Sequence, residues 1–181
     1  MLPFAHIGIT LAVFYIIAMA FPKIRPHINY WYVIAGSMLP DIIDKIIGRV
    51  LFEDVFASGR IFAHTLLFVL VLGMAGYIFF YRKRGSRVLM LAGGCFVHLV
   101  LDSMWKTSVT LLWPLLGWQF QKGAEYGSFW QYLLVIYRNL GNIDSLDVQS
   151  TLMTEILGIV LIMIFGLGYL RQKIIEHSST N

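Results

Sequence analysis

Two pairs of ionisable residues stand at helical spacing inside apolar sequence. His98 and Asp102 lie four apart in GGCFVHLVLDSMW (93–105), and Asp41 and Asp44 lie three apart in MLPDIID (38–44). On a helix, partners three or four apart share one face about a turn from each other, so each pair is able to chelate. His6, His64 and Glu155 add two imidazoles and a carboxylate, and Arg60 stands four before His64. Imidazole with carboxylate is the donor chemistry of Zn²⁺, with Mn²⁺ or Fe²⁺ as alternatives. Cys95 is the single cysteine, which leaves no CxxC knuckle, no disulfide framework and no thiolate set for copper(I) or an iron–sulfur cluster. The seven histidines and carboxylates are enough for one or two ions with open positions, the arrangement suited to displacement at phosphorus.

The elements that must position these groups are membrane helices. Of 181 residues, 58% are hydrophobic and 13% charged, and the mean hydropathy is +0.72, which is far from a soluble domain. Five windows approach the length needed to span a bilayer, at about residues 4–21, 30–52, 61–81, 87–105 and 152–170. The expected fold is therefore all-α: a polytopic helical bundle in one domain over 1–181, with a long outer loop over about 106–151. The first window has no preceding Lys or Arg and no small-residue cleavage site after it, so it reads as a retained span rather than a signal peptide. Pro40, with Gly36 and Ser37 before it, predicts a bend or break in the second span. The glycines of the third and fifth spans (Gly73, Gly76, Gly158, Gly166, Gly168) predict close helix packing.

Basic residues set the orientation. Lys23 and Arg25 follow the first span, Arg82, Lys83, Arg84 and Arg87 separate the third and fourth, and Arg171 and Lys173 follow the fifth. The positive-inside rule puts all three groups in the cytoplasm, with the N-terminus outside and the C-terminus inside. The outer loop balances Lys106, Lys122 and Arg138 against Glu125, Asp144 and Asp147, and its TLLWPLLGWQF stretch is an interfacial segment with Trp113 and Trp118 at headgroup depth. A net charge of +4 distributed over span ends does not describe a nucleic-acid-binding surface.

This topology, fixed without reference to the acids and histidines, brings His6, Asp41, Asp44, His64, His98, Asp102 and Glu155 to the outer ends of five helices. Charged groups inside a bilayer are costly unless paired and mark function. Individual roles stay open at this level. His6 is a ligand or an interfacial residue. Asp44 is a base, an outer hydrogen-bond acceptor, or the partner of Lys45 or Arg49. Glu155 belongs to the centre or is an acid favoured by the dipole of the helix it opens. Arg60 pairs with Glu53 or Asp54, or clamps a phosphate with its planar fork. Thr65, Ser103 and Thr107 are water-positioning hydroxyls or are satisfied within helices. His27 and His177 fall at the opposite ends of the spans.

The motifs AHIGIT, MLPDIID, GRIFAHTLLF, HLVLDSMW and LLWPLL, in this order over about residues 5–115, resemble the LexA-binding, inner-membrane-associated hydrolases, also called membrane-bound metal-dependent hydrolases. That resemblance implies a helical membrane enzyme distantly similar to zinc-dependent phospholipase C. Its ligand series falls here on His6, Asp41, His64, His98 and Asp102, with Glu155 matching a glutamate of the last helix. Gly59 and Ala63 depart from the histidine and threonine of the usual His-Arg-x-x-Thr-His-Ser motif, whereas Arg60 and His64 keep it.

The expected activity is hydrolysis of a phosphoester in a lipid or a phosphorylated small molecule at the outer membrane surface. In it His6, Asp41, His64, His98 and Asp102 are metal ligands, Asp44 or Glu155 handles the water's proton, and Arg60 holds the phosphate. A zinc peptidase or amidase is a second reading, without the HExxH motif. A transporter or metal-handling protein is a third, and it calls for polar residues continuing through the inner halves of the spans, where LAVFYIIAMA and LVLVLGMAGYIFF have no ionisable group.

Overall fold

The computed structural model describes residues 2–141 and 145–179, and among these every regular element is helical. Asp144 lies outside the described residues, as do the side chains of Lys173 and His177. Eight α-helices follow in order: α1 Pro3–Ala20, α2 Tyr30–Lys45, α3 Glu53–Phe56, α4 Leu66–Tyr81, α5 Arg87–Leu101, α6 Ser108–Leu111, α7 Phe129–Leu140 and α8 Leu146–Ser179. The all-α membrane bundle is the observed fold.

The number of full-length spans differs from expectation. By length and composition α1 and Leu146–Arg171 of α8 are able to cross a membrane, and α5 with the helical segment Met104–Leu111 makes a third only if counted as one span bent by 78°. Three local features shorten the others. Thr65 caps α4 by accepting from the Phe68 N–H at 3.1 Å, so the third window starts as a turn and becomes helix only at Leu66. Ser103 takes a left-handed conformation (φ 54°) directly after Asp102, which ends α5 and turns the chain. α2 carries Asp41, Asp44 and Lys45 in its last turns. It also does not break at Pro40: the helix runs through the proline to Lys45 and then widens into a π-helical turn, Ile46–Leu51. The expected outer loop is partly helical. It contains α6 and α7, the latter too short to span at 12 residues, and α8 begins at Leu146, well before the fifth window.

Packing follows the small residues. A Cβ on Gly36 would meet the Leu91 carbonyl oxygen at 2.3 Å, and one on Gly94 the Val33 oxygen at 2.5 Å, so α2 and α5 lie backbone to backbone. They run parallel: Arg87 sits over the Tyr32 ring, and farther along His98 bonds to Ser37. α1 and α8 are a second parallel pair, in contact at Gly8 and Gly158 and again where Tyr15 meets Phe165. α4 packs antiparallel on α5, with Gly76 against Leu89, and Val69 in a core cluster with Cys95, Leu99 and Met104. Gly166 and Gly168 face open space, so these two predicted packing glycines serve no close contact among the described residues. On α4 the side chains of Leu70, Val71, Met74 and Tyr77 point outward, as expected of a helix whose solvent is hydrocarbon.

These directions put the start of α1, the end of α2, the turn before α4 and the end of α5 at one pole. The basic loops meet at the other, where the Ser86 hydroxyl donates to the His27 carbonyl and joins the two.

Candidate metal centre

At the first pole Asp41, His64, His98 and Asp102 each offer one ligand atom, and the four atoms lie within 4.8 Å of one another. His64 and His98 are fully buried, and Asp41 nearly so. Taking these groups out of water is expensive unless each is paired, and the pairing is what defines the site.

Each imidazole has its Nδ1 committed. His98 Nδ1–H donates to the Ser37 carbonyl at 2.6 Å, and His6 Nδ1–H donates to the Leu2 carbonyl at 3.1 Å. A carbonyl only accepts, so the proton sits on Nδ1 in both rings. His64 Nδ1–H donates to Asp44 Oδ2 at 2.7 Å. Asp44 is itself fixed as an acceptor by three backbone amides, Ile61 N–H (2.7 Å), Ala63 N–H (2.9 Å) and His64 N–H (3.1 Å). The neutral rings of His64 and His98 therefore present Nε2 as a lone pair.

The Nε2 atoms of His64 and His98 face each other at 3.2 Å. Asp41 Oδ1 lies 3.7 Å and 3.9 Å from them, and Asp102 Oδ2 lies 3.8 Å and 4.0 Å away. Two bonds of about 2.0–2.1 Å at a tetrahedral angle span an edge of about 3.3 Å, so the imidazole pair has the spacing of two zinc ligands. Two nitrogens and two oxygens, with Nδ1 held by a carbonyl or carboxylate behind each ring, are the donors and outer partners such a centre uses.

His6 stands beside this set. Its ring stacks on His98 at 4.2 Å, and its Nε2 faces Asp102 Oδ1 at 3.1 Å, so it reaches the four donors through the second oxygen of Asp102. Arg60 also meets Asp102, with NH2 2.8 Å from Oδ2, and pairs there rather than with Glu53 or Asp54. Glu53 instead accepts from the Tyr126 N–H. Lys45 pairs with Asp41 Oδ2 at 2.8 Å and not with Asp44. The i, i+4 spacing of Asp41 and Lys45 is the signal in the sequence for this pair, in place of the expected one with Asp44. Arg60 and Lys45 are both about half exposed, and they set two cations at the edge of the cluster.

Two residues expected to handle a proton have other occupations. Asp44 spends its oxygens on the 61–64 turn and on His64, which makes it the residue that shapes the turn and sets the His64 tautomer. Glu155 does not open its helix. It lies in the third turn of α8 and accepts from the Phe4 and Ala5 N–H groups, each at 3.1 Å. These are unsatisfied amides at the start of α1, whose N-cap residue supplies no side-chain cap, so Glu155 caps α1 from a neighbouring helix. The Thr65 hydroxyl donates to the Phe62 carbonyl and caps α4, and the Thr107 hydroxyl donates to the Met104 carbonyl, so both are satisfied locally. Arg49 donates to the Ala124 carbonyl at 2.7 Å and lies over the Tyr126 and Tyr132 rings, pinning the long loop to the π-helical turn.

Fold and site together define a helical membrane protein with a buried His/Asp cluster able to hold a metal ion. The chain belongs to the YdjM inner membrane protein family, whose family model matches residues 1–175. No curated protein and no solved structure matches the chain.

Proposed function

We propose that this chain is a metal-dependent hydrolase of a phosphoester in a lipid or lipid-linked substrate, working at the outer surface of the inner membrane. The observation that carries the reading is the pair of opposed Nε2 atoms, 3.2 Å apart, with two carboxylate oxygens beside them and both Nδ1 protons committed elsewhere. Asp41, His64, His98 and Asp102 would hold the ion, Zn²⁺ by donor chemistry, with His6 orienting Asp102 through its second oxygen. A bound Zn²⁺ supplies Lewis acidity that brings the pKa of water toward about 7 and polarises a phosphoryl oxygen.

The chain's own groups supply the rest. Arg60 offers a planar fork to phosphate oxygens, and Lys45, whose side chain lies against Gly59, a second positive charge. His6 Nε2, 3.1 Å from Asp102 Oδ1, holds that carboxylate in place from the side away from Arg60. Asp44 keeps His64 in one tautomer and fixes the turn on which Arg60 and His64 stand. In this orientation the basic loops face the cytoplasm, the N-terminus lies outside and the cluster lies near outer headgroup depth, which suits a phosphorylated lipid.

The test is metal analysis by mass spectrometry on protein purified without chelators, together with phosphorus NMR of phosphatidic acid in mixed micelles. Stoichiometric metal and product formation, both lost in Asp102→Ala, are expected. Full turnover in Asp102→Ala or in exhaustively chelated protein overturns the reading.

A further inference from the structure

An aromatic cleft of about 480 Å³ opens beside the cluster, walled by Val55, Phe56, Phe62, Trp113, Trp118 and Phe120, with Gln119 as its one polar side chain. Its volume falls in the range of small-molecule sites, about 300–1,000 Å³. The rings pack edge to face on one another: Phe62 lies 4.9 Å from Phe120 and 5.8 Å from both Phe56 and Trp113. Trp113 stacks on Phe120 at 5.2 Å, and its Nε1–H donates to the Trp118 carbonyl. The TLLWPLLGWQF stretch thus folds back on the turn before α4 to build a wall.

The cleft and the cluster share one short segment. Arg60 and His64 reach Asp102 and the other donors, while Phe62 between them supplies the cleft's central ring. The amides flanking Phe62, of Ile61 and Ala63, are both held by Asp44, so the same carboxylate that orients His64 also fixes Phe62. A ligand lying along this segment meets two cations and the donor cluster at one end and a mainly aromatic trough at the other.

We infer that the cleft binds the hydrocarbon chain of a phosphate-bearing lipid whose headgroup lies at Arg60 and Lys45. This rests on the hydrolase reading for what happens to the headgroup, but chain binding itself requires no turnover. The charge pattern selects the occupant: Arg60 and Lys45, each paired with a cluster carboxylate on one side, keep about half of their side chains exposed to meet a phosphate, and a water-soluble phosphate ester would leave the trough empty.

Photolabelling tests it, using phosphatidic acid with a diazirine at mid-chain on the full-length protein in detergent. Expected are adducts concentrated in the peptides bearing Phe62 and 113–120, suppressed by excess unlabelled phosphatidic acid and not by excess diacylglycerol. Phe120→Ala should lower those adducts about tenfold, the loss expected for one buried aromatic contact, while metal content stays at the wild-type level. Adducts spread equally over the outward face of α4 and the cleft, or equal competition by diacylglycerol, overturn the inference. Localised, headgroup-dependent labelling in a protein that hydrolyses nothing sinks the reaction and keeps the chain site. Lipid hydrolysis with uniform labelling does the reverse.

Discussion

His64 and His98 turn their Nε2 atoms toward each other at 3.2 Å while each donates its Nδ1 proton elsewhere, His64 to Asp44 and His98 to the Ser37 carbonyl. Two lone pairs at this distance repel unless a cation lies between them, and with the two carboxylates alongside they form a group able to hold a metal ion. The centre is therefore held by what lies behind the rings as much as by the rings themselves.

His98→Ala should lower metal affinity by more than the about 10–100-fold that outer partners are worth, because it removes one of the four converging atoms. Competitive metal titration with a chromogenic chelator reads this, and an unchanged affinity would remove His98 from the donor set.

Asp44→Asn tests the support behind His64. Asparagine has one accepting oxygen for four donors, so metal affinity should fall about 10–100-fold. Stability should fall by about 1–3 kcal/mol for each donor left unpaired. Thermal unfolding in detergent and metal titration measure the two losses separately.

Glu155→Gln separates capping from chemistry. Weakening the cap on the Phe4 and Ala5 amides should cost about 0.5–2 kcal/mol, with metal stoichiometry unchanged. Loss of the metal in a folded variant would place Glu155 in the centre instead.

The glycine contact between α2 and α5 sets the distance from Asp41 to His98. Gly36→Ala puts a Cβ 2.3 Å from the Leu91 oxygen, and overpacking of this kind costs about 1–3 kcal/mol. A weaker metal site should accompany it, since forcing the helices apart separates the donors. Gly166→Ala, which meets nothing within 4 Å, should leave metal binding intact and favour the helix by up to about 1 kcal/mol.

Chelation should destabilise the wild-type protein. An ion present at about a hundred times its Kd adds about 2.7 kcal/mol to the folded state, so removing it should lower the unfolding temperature. Asp102→Ala, lacking the ion already, should show no further change on chelation.

The four donors were legible because their spacing and the positions of Lys and Arg are both local properties of sequence. Pairs at i, i+3 and i, i+4 share a helix face, and basic clusters at alternate span ends imply that the other ends meet. The number of full-length helices was less legible. Hydropathy averages over a window and does not register that Thr65 caps α4 late or that Ser103 turns the chain after Asp102. Roles within the acidic pairs were also hidden. Asp41 and Asp44 differ by less than a turn, yet one faces the Nε2 atoms and the other the amides of 61–64, a distinction made by a loop some 17–20 residues away.

By itself the sequence determined an all-helical membrane chain, the residue types able to hold a metal, and the pole at which they gather, because each follows from composition, periodicity and charge placement. Only the tertiary structure decided which oxygen and nitrogen atoms converge. It made Glu155 a cap for α1 across 150 residues of sequence, gave Arg60 to Asp102, and set Phe62 in an aromatic cleft beside the donors. Those outcomes depend on backbones meeting at Gly36 and Gly94 and at Gly8 and Gly158, and on buried amides finding the nearest acceptor. Such contacts join segments remote in sequence, so small residues such as Gly158 signal that a close approach occurs but not which segment is met.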